Sequence, residues 1–188
     1  MAPEDMRIGI DISQIVHEGA GVAKYVRQMV RALVQSDSKN DYILFAASLR
    51  RRHLFYQYVH SLRKILGSRN VRLVVVPIPP TVLDILWNRL HIVPIEWFTG
   101  RLDVFWSRDW TQPPLGKAVG ITTIHDLTVI RYPASFAKKI VDVHRRRLQW
   151  VTRECKKILC DSEATKNDVI TLLGIPQEKL HVVYPGFH

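Results

Sequence analysis

Three short stretches of the sequence carry groups that could do chemistry, and the first is HEGAG, residues 17 to 21. A glycine-bearing loop that leads into a helix can bring backbone N–H groups and the positive end of the helix dipole against a phosphate. Gly19, Ala20 and Gly21, with Lys24 just beyond them, are therefore candidates for phosphate binding. Because glycine is also conformationally permissive, a purely structural turn is the alternative.

The other two stretches are HDL and SRDWTQPP. His125 and Asp126 follow the apolar run VGITTI, and a histidine there can bind a sugar hydroxyl or a phosphate, or act as an acid or base near neutral pH. The alternative is a structural histidine bonded to a backbone carbonyl, with Asp126 capping the next segment. Arg108, Asp109 and Trp110 offer a charge pair and a stacking surface, or else an ordinary packed loop.

Several protein classes are disfavoured by these motifs. The glycine loop has Lys24 where a dinucleotide-binding fingerprint needs its third glycine, and the second strand lacks the ribose-binding acid, which argues against a dinucleotide oxidoreductase. A P-loop, an HExxH motif and a Ser/His/Asp order cannot be placed. Cys155 and Cys160 lack metal-site spacing, so we expect reduced, buried thiols and no metal site. With no signal-like start and no apolar run of about 18 residues, the expected compartment is the cytoplasm.

The net charge of +10 indicates an anionic partner. Phosphate-rich ligands, acidic lipid headgroups and nucleic acid all fit this charge, although nucleic acid is disfavoured because no recognition module is present. The basic tract 50–66 places Leu54, Tyr58, Leu62 and Ile65 on one helical stripe. Such a helix could lie on an anionic membrane, which would be the inner membrane face, or pack against the core with a solvated basic side.

The order of apolar runs and helical patterns predicts how these stretches are positioned. Short runs typical of buried strands occur at 8–12, 42–46, 72–76, 103–106, 119–124, 157–160 and 181–184. Helical patterns separate most of them, which predicts one α/β domain over 1–188 with a Rossmann-like parallel sheet of about seven strands, covered by helices on both faces. In such sheets ligands bind beyond the carboxyl ends of the strands, so the three stretches should share one rim. Segment 77–100, rich in proline and aromatic residues, is expected to form a helix plus an irregular wall.

Four longer motifs resemble one known family. RIGIDISQIVHEGAGVAKYVRQMVRAL, DVFWSRDWTQPP, TTIHDLTVIRYP and CDSEATKNDVITLLGIPQEKLHVVYPG are similar, in this order, to the N-terminal domain of GT-B glycosyltransferases of the family-4, or group 1, type. The resemblance implies a retaining, metal-independent transferase that moves a sugar from a UDP- or GDP-linked nucleotide sugar to a glycan or lipid-linked acceptor. The nucleotide sugar is a substrate, and no cofactor is implied.

The resemblance also implies roles for particular residues. His125 would face the transferred sugar, with Asp126 orienting its loop. Arg108 and Trp110 would border the acceptor site, and Ser162, at the start of the SEATK helix, would lie near the cleft. The implied donor-phosphate or acceptor contacts are Gly19, Ala20, Gly21, Lys24, Arg108, Trp110 and Ser162. Lys24 stands where arginine is common in relatives, which keeps the charge but loses bidentate geometry.

The printed sequence ends at YPGFH, where the family passes into a second domain that holds most of the nucleotide sugar. The resemblance therefore implies the acceptor half of an enzyme that builds surface polysaccharide or glycolipid. This half is expected to be inactive alone and to need a C-terminal GT-B domain in cis or in trans. A truncated half is favoured over a natural split subunit. The alternative function is a non-catalytic binding subunit that docks such a partner and the membrane surface.

Overall fold

The computed structural model describes residues 5–17, 19–66 and 70–186, and within them lies one sheet of seven parallel strands. The strands are β1 Arg7–Asp11, β2 Asp41–Ala47, β3 Val71–Val76, β4 Val104–Ser107, β5 Val119–Ile124, β6 Cys155–Cys160 and β7 Leu180–Val182. Their order across the sheet is β3-β2-β1-β4-β5-β6-β7. All seven predicted strands are present, and the prediction of a Rossmann-like parallel sheet is confirmed.

Helices connect most of these strands. They are α1 Gly21–Ser36, α2 Arg52–Leu66, α3 Pro80–Leu83, α4 Glu96–Thr99, α5 Thr128–Arg131, α6 Lys138–Glu154 and α7 Glu163–Leu173. A π-helix covers Asp84–Arg89, and single 3-10 turns cover Ser13–Val16, Pro133–Ser135 and Gln177–Lys179. Within the described ranges, no helix combines the length and the apolar character needed to cross a membrane.

The core has one apolar layer on each face of the sheet because successive strand residues point to opposite faces. On β2, Tyr42 and Leu44 belong to the cluster formed with α1 and α2. Ile43 and Phe45, which alternate with them along the strand, pack on the other face with the segment around α3 and α4. Both sets are buried, which explains why the strand is a continuous apolar run in the sequence.

The basic helix α2 uses its apolar stripe for this core. Tyr58 and Leu62 are buried and Leu54 is half-buried, while Ile65 is exposed. The Tyr58 hydroxyl also donates to the carbonyl of Arg27 at 3.0 Å, which ties α2 to α1. The stripe therefore packs against the domain, which was the second of the two alternatives for this tract.

Segment 77–100 forms short helices and an irregular stretch, as predicted. Two non-glycine residues in it, His91 and Val93, have positive φ values of 53° and 65°. Such backbone conformations persist only when their surroundings hold them in place. Here the His91 ring stacks on Trp150 of α6 with centroids 3.6 Å apart, and its Nε2 lies 2.7 Å from Glu154 Oε1. The segment is thus fastened to α6 across the domain surface.

Candidate functional site

The carboxyl ends of four neighbouring strands meet at one edge of the sheet, as the sequence predicted for three of them. The register pairs Ile10 of β1 with Trp106 of β4, and Ile124 of β5 with Cys160 of β6. The residues that follow therefore emerge side by side. We call this edge the rim; it carries Asp11, Arg108, His125 and Asp161 with their neighbours.

His125 is held by a carboxylate from the adjacent strand. Its Nδ1 lies 2.7 Å from Asp161 Oδ2, and both side chains are largely buried. Because a carboxylate can only accept, Nδ1 carries the proton, and Nε2 is left for a ligand. The Tyr25 ring of α1 packs edge-on against the imidazole at a centroid distance of 4.9 Å. The sequence left open a structural histidine whose imidazole bonds to a backbone carbonyl. In the structure the imidazole pairs with Asp161 instead.

Asp126 and Ser162 shape the backbone on either side of this pair. Asp126 is exposed, and its Oδ1 accepts a hydrogen bond from Thr128 N at 2.8 Å at the start of α5, which matches the capping alternative. Ser162 caps α7, as predicted, since its Oγ accepts from Thr165 N at 3.1 Å. The Thr165 hydroxyl in turn donates to the carbonyl of His125 at 3.0 Å. The α7 cap thereby supports the backbone that carries the histidine.

Arg108 lies in a buried ion pair with Asp11, the last residue of β1. Its Nε lies 3.2 Å from Asp11 Oδ2, and these side chains are 6% and 1% exposed. Asp11 Oδ1 accepts from the backbone and hydroxyl of Ser13 at 2.9 Å and 2.5 Å. Arg108 and Asp109, for which the sequence left a charge pair and an ordinary packed loop as alternatives, have separate partners, because Asp109 accepts from Gln14 Nε2. The side chains of consecutive residues at a strand end point in different directions, so Arg108 pairs with Asp11 of β1, and Asp109 pairs with Gln14 in the turn that follows β1.

Trp110 lines two cavities at the rim. The residue is 41% exposed, and the centroid of its ring lies 5.0 Å from that of the His144 ring. One cavity, of about 440 Å³, is lined in part by Asp109, Trp110, His125, Asp126, His144 and Arg147. The other, of about 410 Å³, is lined in part by His17, Ile85, Arg89, Arg108, Trp110 and Lys139. Both volumes lie within the range of small-molecule sites.

Arg147 is a buried cation beneath the first cavity. Only 2% of this residue is exposed, and its Nη2 donates to Thr122 Oγ1 at 2.6 Å and to the carbonyl of Thr123 at 3.3 Å. Burial lowers the pKa of its guanidinium, while the negative charge of Asp109 opposes that shift. No carboxylate in the described ranges comes within 4.0 Å of its nitrogens. Burial likewise lowers the pKa of His144.

The glycine loop is open to solvent at the start of α1. Gly19 has a φ of 87°, so its conformation alone favours glycine. Gly21 is the first residue of α1, and a Cβ built there would meet no atom within 4 Å. Ala20 occupies the N-cap position without a side-chain cap, so the described residues place no capping side chain on the first N–H groups of the helix. Lys24 is exposed one turn on, and Glu18 lies outside the described residues.

Sequence reasoning missed five residues of this rim: Asp11, Tyr25, His144, Arg147 and Asp161. Two signals were available. Asp161 follows the sixth apolar run just as His125 follows the fifth, and Arg147 occupies a position of the apolar stripe of α6 between Val143 and Val151. A charged residue in a stripe that is otherwise buried indicates a specific polar partner.

Comparison with known proteins gives one family. The family model described as Glycosyltransferase Family 4 matches residues 19–188. No curated protein matches the chain.

Proposed function

The chain belongs to glycosyltransferase family 4, and we propose that it is the acceptor-side, N-terminal half of a retaining transferase. This half would work with a C-terminal GT-B domain, in cis or in trans, that holds most of a UDP- or GDP-linked sugar. The acceptor would be a glycan or a lipid-linked sugar. The observation that carries the proposal is His125, fixed by Asp161 at the rim and lining a cavity of suitable size.

The His–Asp pair suits a residue that binds the transferred sugar. With Nδ1 engaged by Asp161, the imidazole can rotate little, and Nε2 is offered in a fixed direction. A neutral ring accepts a hydrogen bond at Nε2, whereas a protonated ring donates one and adds positive charge beside the leaving phosphate. Either form positions the sugar without forming a covalent bond, as a front-face displacement requires.

The start of α1 suits the diphosphate of the donor. Its first N–H groups, which Ala20 does not cap, and the positive end of the helix dipole favour an anion, and Gly21 leaves room for one to approach. Tyr25, one turn further along the same helix, contacts the ring of His125. A phosphate at the helix start and a sugar at His125 would therefore be neighbours. Charge that develops on the leaving phosphate would be stabilised by these prearranged donors.

The two cavities beside Trp110 suit the acceptor. An exposed indole offers a flat apolar surface on which a sugar ring can stack, and the charged residues around it can bind hydroxyl groups. Arg108, which resemblance placed at the acceptor site, lines the second cavity but is chiefly engaged with Asp11. We assign Trp110 a direct contact with the acceptor, and we assign Arg108 the role of stabilising the rim through its pair with Asp11.

The test is nucleotide release from a panel of UDP- and GDP-sugars, with the chain alone and with a family C-terminal domain supplied. We expect acceptor-dependent release only in the second case, and its loss by at least tenfold in His125→Ala. The matched control is His53→Ala, an exposed histidine on α2 that should leave release unchanged. Wild-type release by His125→Ala would contradict the site. Binding of the partner domain without release from any donor would favour the non-catalytic subunit.

A further inference from the structure

Exposed apolar side chains are concentrated in one segment of the chain. In the described ranges fourteen large hydrophobic residues are exposed, and five of them fall between residues 82 and 97. These five, between 40% and 75% exposed, are Val82, Ile85, Leu90, Ile92 and Trp97. We call them the apolar strip. A cluster of this kind marks an interaction surface, whereas single exposed hydrophobics need no explanation.

The strip is the outward side of a segment whose inward side is core. Leu83, Trp87 and Ile95 alternate with the strip residues and are fully buried against Phe45 and Phe105 of the sheet. The segment has therefore satisfied its own packing. The exposed residues are a second apolar side that the domain itself does not use.

The fold holds the backbone around Ile92 in place. Ile92 lies between His91 and Val93, the two non-glycine residues with positive φ, and such a conformation requires compensating contacts. His91 supplies them through its stack on Trp150, while Trp87 Nε1 donates to the carbonyl of Val93 at 3.0 Å. The backbone is thus fixed in an unfavourable conformation that keeps Ile92 about half exposed.

The charges beside the strip are positive on the outside. Asp84 is turned inward, where it accepts from Asn88 Nδ2 at 3.0 Å and from Arg146 Nη2 at 3.1 Å. Glu96 Oε1 accepts from three backbone N–H groups, those of Gly116, Lys117 and Ala118 at 2.9, 3.0 and 3.2 Å. Burial opposes ionisation of Glu96, yet these hydrogen bonds lower its pKa. Asp84 Oδ2 also accepts from Arg89 Nε at 3.3 Å, so both carboxylates of the segment are bonded to groups of the protein.

Two arginines remain on the outer surface near the strip. The Arg89 and Arg101 side chains are 55% and 76% exposed, and each is more exposed than the aspartate it approaches. The whole chain carries a net charge of +10, so an anionic surface attracts it from a distance. Exposed aliphatic side chains in one segment, an exposed indole and flanking arginines match what an interfacial membrane segment needs.

We propose that the apolar strip docks the protein on an anionic phospholipid bilayer. Trp97, Ile92 and Leu90 enter the headgroup region, and Arg89 and Arg101 contact lipid phosphates. The membrane surface thus lies along segment 82–101, and α2, whose stripe is used in the core, is not the docking element.

The strip also leads toward the rim. Ile85 and Arg89 line the cavity that Trp110 borders, so a lipid-linked acceptor could pass from the bilayer to the rim along this segment. This step rests on the proposed function, whereas binding to the bilayer does not.

The test is flotation of the full chain with vesicles of phosphatidylcholine alone and of phosphatidylcholine with phosphatidylglycerol, without donor or acceptor. We expect binding to the anionic vesicles to be stronger by about tenfold, since each basic residue near the surface adds to it. The triple variant Leu90→Ser, Ile92→Ser, Trp97→Ser should lose binding by about tenfold or more. The matched control Tyr56→Ser, Ile65→Ser removes two exposed apolar residues from basic α2 and should bind like wild type.

A second measurement guards against a folding defect in the triple variant. The chain with Ile92→Cys is labelled with a polarity-sensitive dye, which is selective because Cys155 and Cys160 are buried. Anionic vesicles should shift its emission to the blue. Absence of vesicle binding by wild type, no emission shift, or loss of binding in the α2 control alone would overturn the proposal. So would light scattering that shows a dimer dissociated by the triple variant, since the strip would then join two copies.

Discussion

The ion pair between Arg108 and Asp11 makes a prediction about stability that also decides what Arg108 is for. In Arg108→Met the apolar stem is kept and the charge is removed, so Asp11 Oδ2, in a side chain only 1% exposed, loses its cation. Breaking a buried pair from one side costs about 3–5 kcal/mol, because the remaining charge is neither hydrated nor paired. Arg108 Nε also donates to Thr111 Oγ1 at 3.1 Å, and that bond is lost as well.

The assay is urea unfolding of the chain followed by circular dichroism. With a slope of about 1–3 kcal/mol per molar urea, a loss of about 3 kcal/mol lowers the midpoint by about 1–3 M. The matched control is Arg101→Met, which removes an exposed arginine 3.5 Å from Asp103 and should cost less than about 1 kcal/mol. In the double variant Arg108→Met, Asp11→Asn, we expect a coupling free energy of about 1–3 kcal/mol between the two substitutions, because the buried charge is removed together with its partner.

A small effect would refute this reasoning. If Arg108→Met costs no more than Arg101→Met, the pair is hydrated in solution and its charges do not support the rim. Arg108 would then be available to the acceptor, and its assignment as a supporting residue would be wrong.

Gly21→Ala should leave the free energy of unfolding unchanged or raise it by up to about 1 kcal/mol, since a Cβ fits at this position and alanine favours a helix. In the completed two-domain enzyme, an unchanged affinity of this variant for the nucleotide sugar would contradict phosphate binding at this loop. Burial raises the pKa of Cys155 to about 12 and that of Cys160 to about 11, so neither thiol should react with Ellman's reagent until the chain is unfolded. Hydrogen bonds, of which the one from Lys39 N is the largest cause, lower the pKa of Asp37 from 3.8 to about 2. The contribution of this carboxylate to stability is therefore present above pH 3.8 and lost as the pH falls toward 2. The difference in unfolding free energy between wild type and Asp37→Asn should shrink over that range.

The strands and the rim could be predicted from the sequence because each depends on local pattern. Buried parallel strands are short apolar runs, and polar residues directly after such runs must emerge at the carboxyl edge. His125, Arg108 and Trp110 were found in this way. The same rule applied to the sixth strand would have found Asp161.

The partners of these residues could not be predicted in the same way. The pairing of His125 with Asp161 depends on β5 lying beside β6 with Ile124 opposite Cys160, and parallel strands have no shared turn that fixes this register. The pairing of Arg108 with Asp11 depends likewise on β4 lying beside β1. Arg108 and Asp109 are adjacent in the sequence, but side chains at a strand end alternate in direction, so adjacency does not decide the partner.

The contacts around His125 explain how this half could hold two parts of one donor at a fixed separation. Arg147 joins α6 to Thr122 and Thr123 at the end of β5, just before the histidine, and Asp161, directly after β6, holds the ring. Tyr25 packs against that ring from α1, whose first turn is the candidate phosphate site. Because three elements meet at His125, the helix start and the imidazole cannot shift independently. If the diphosphate binds at one and the sugar at the other, their spacing is set before the donor arrives, which lowers the cost of reaching the transition state.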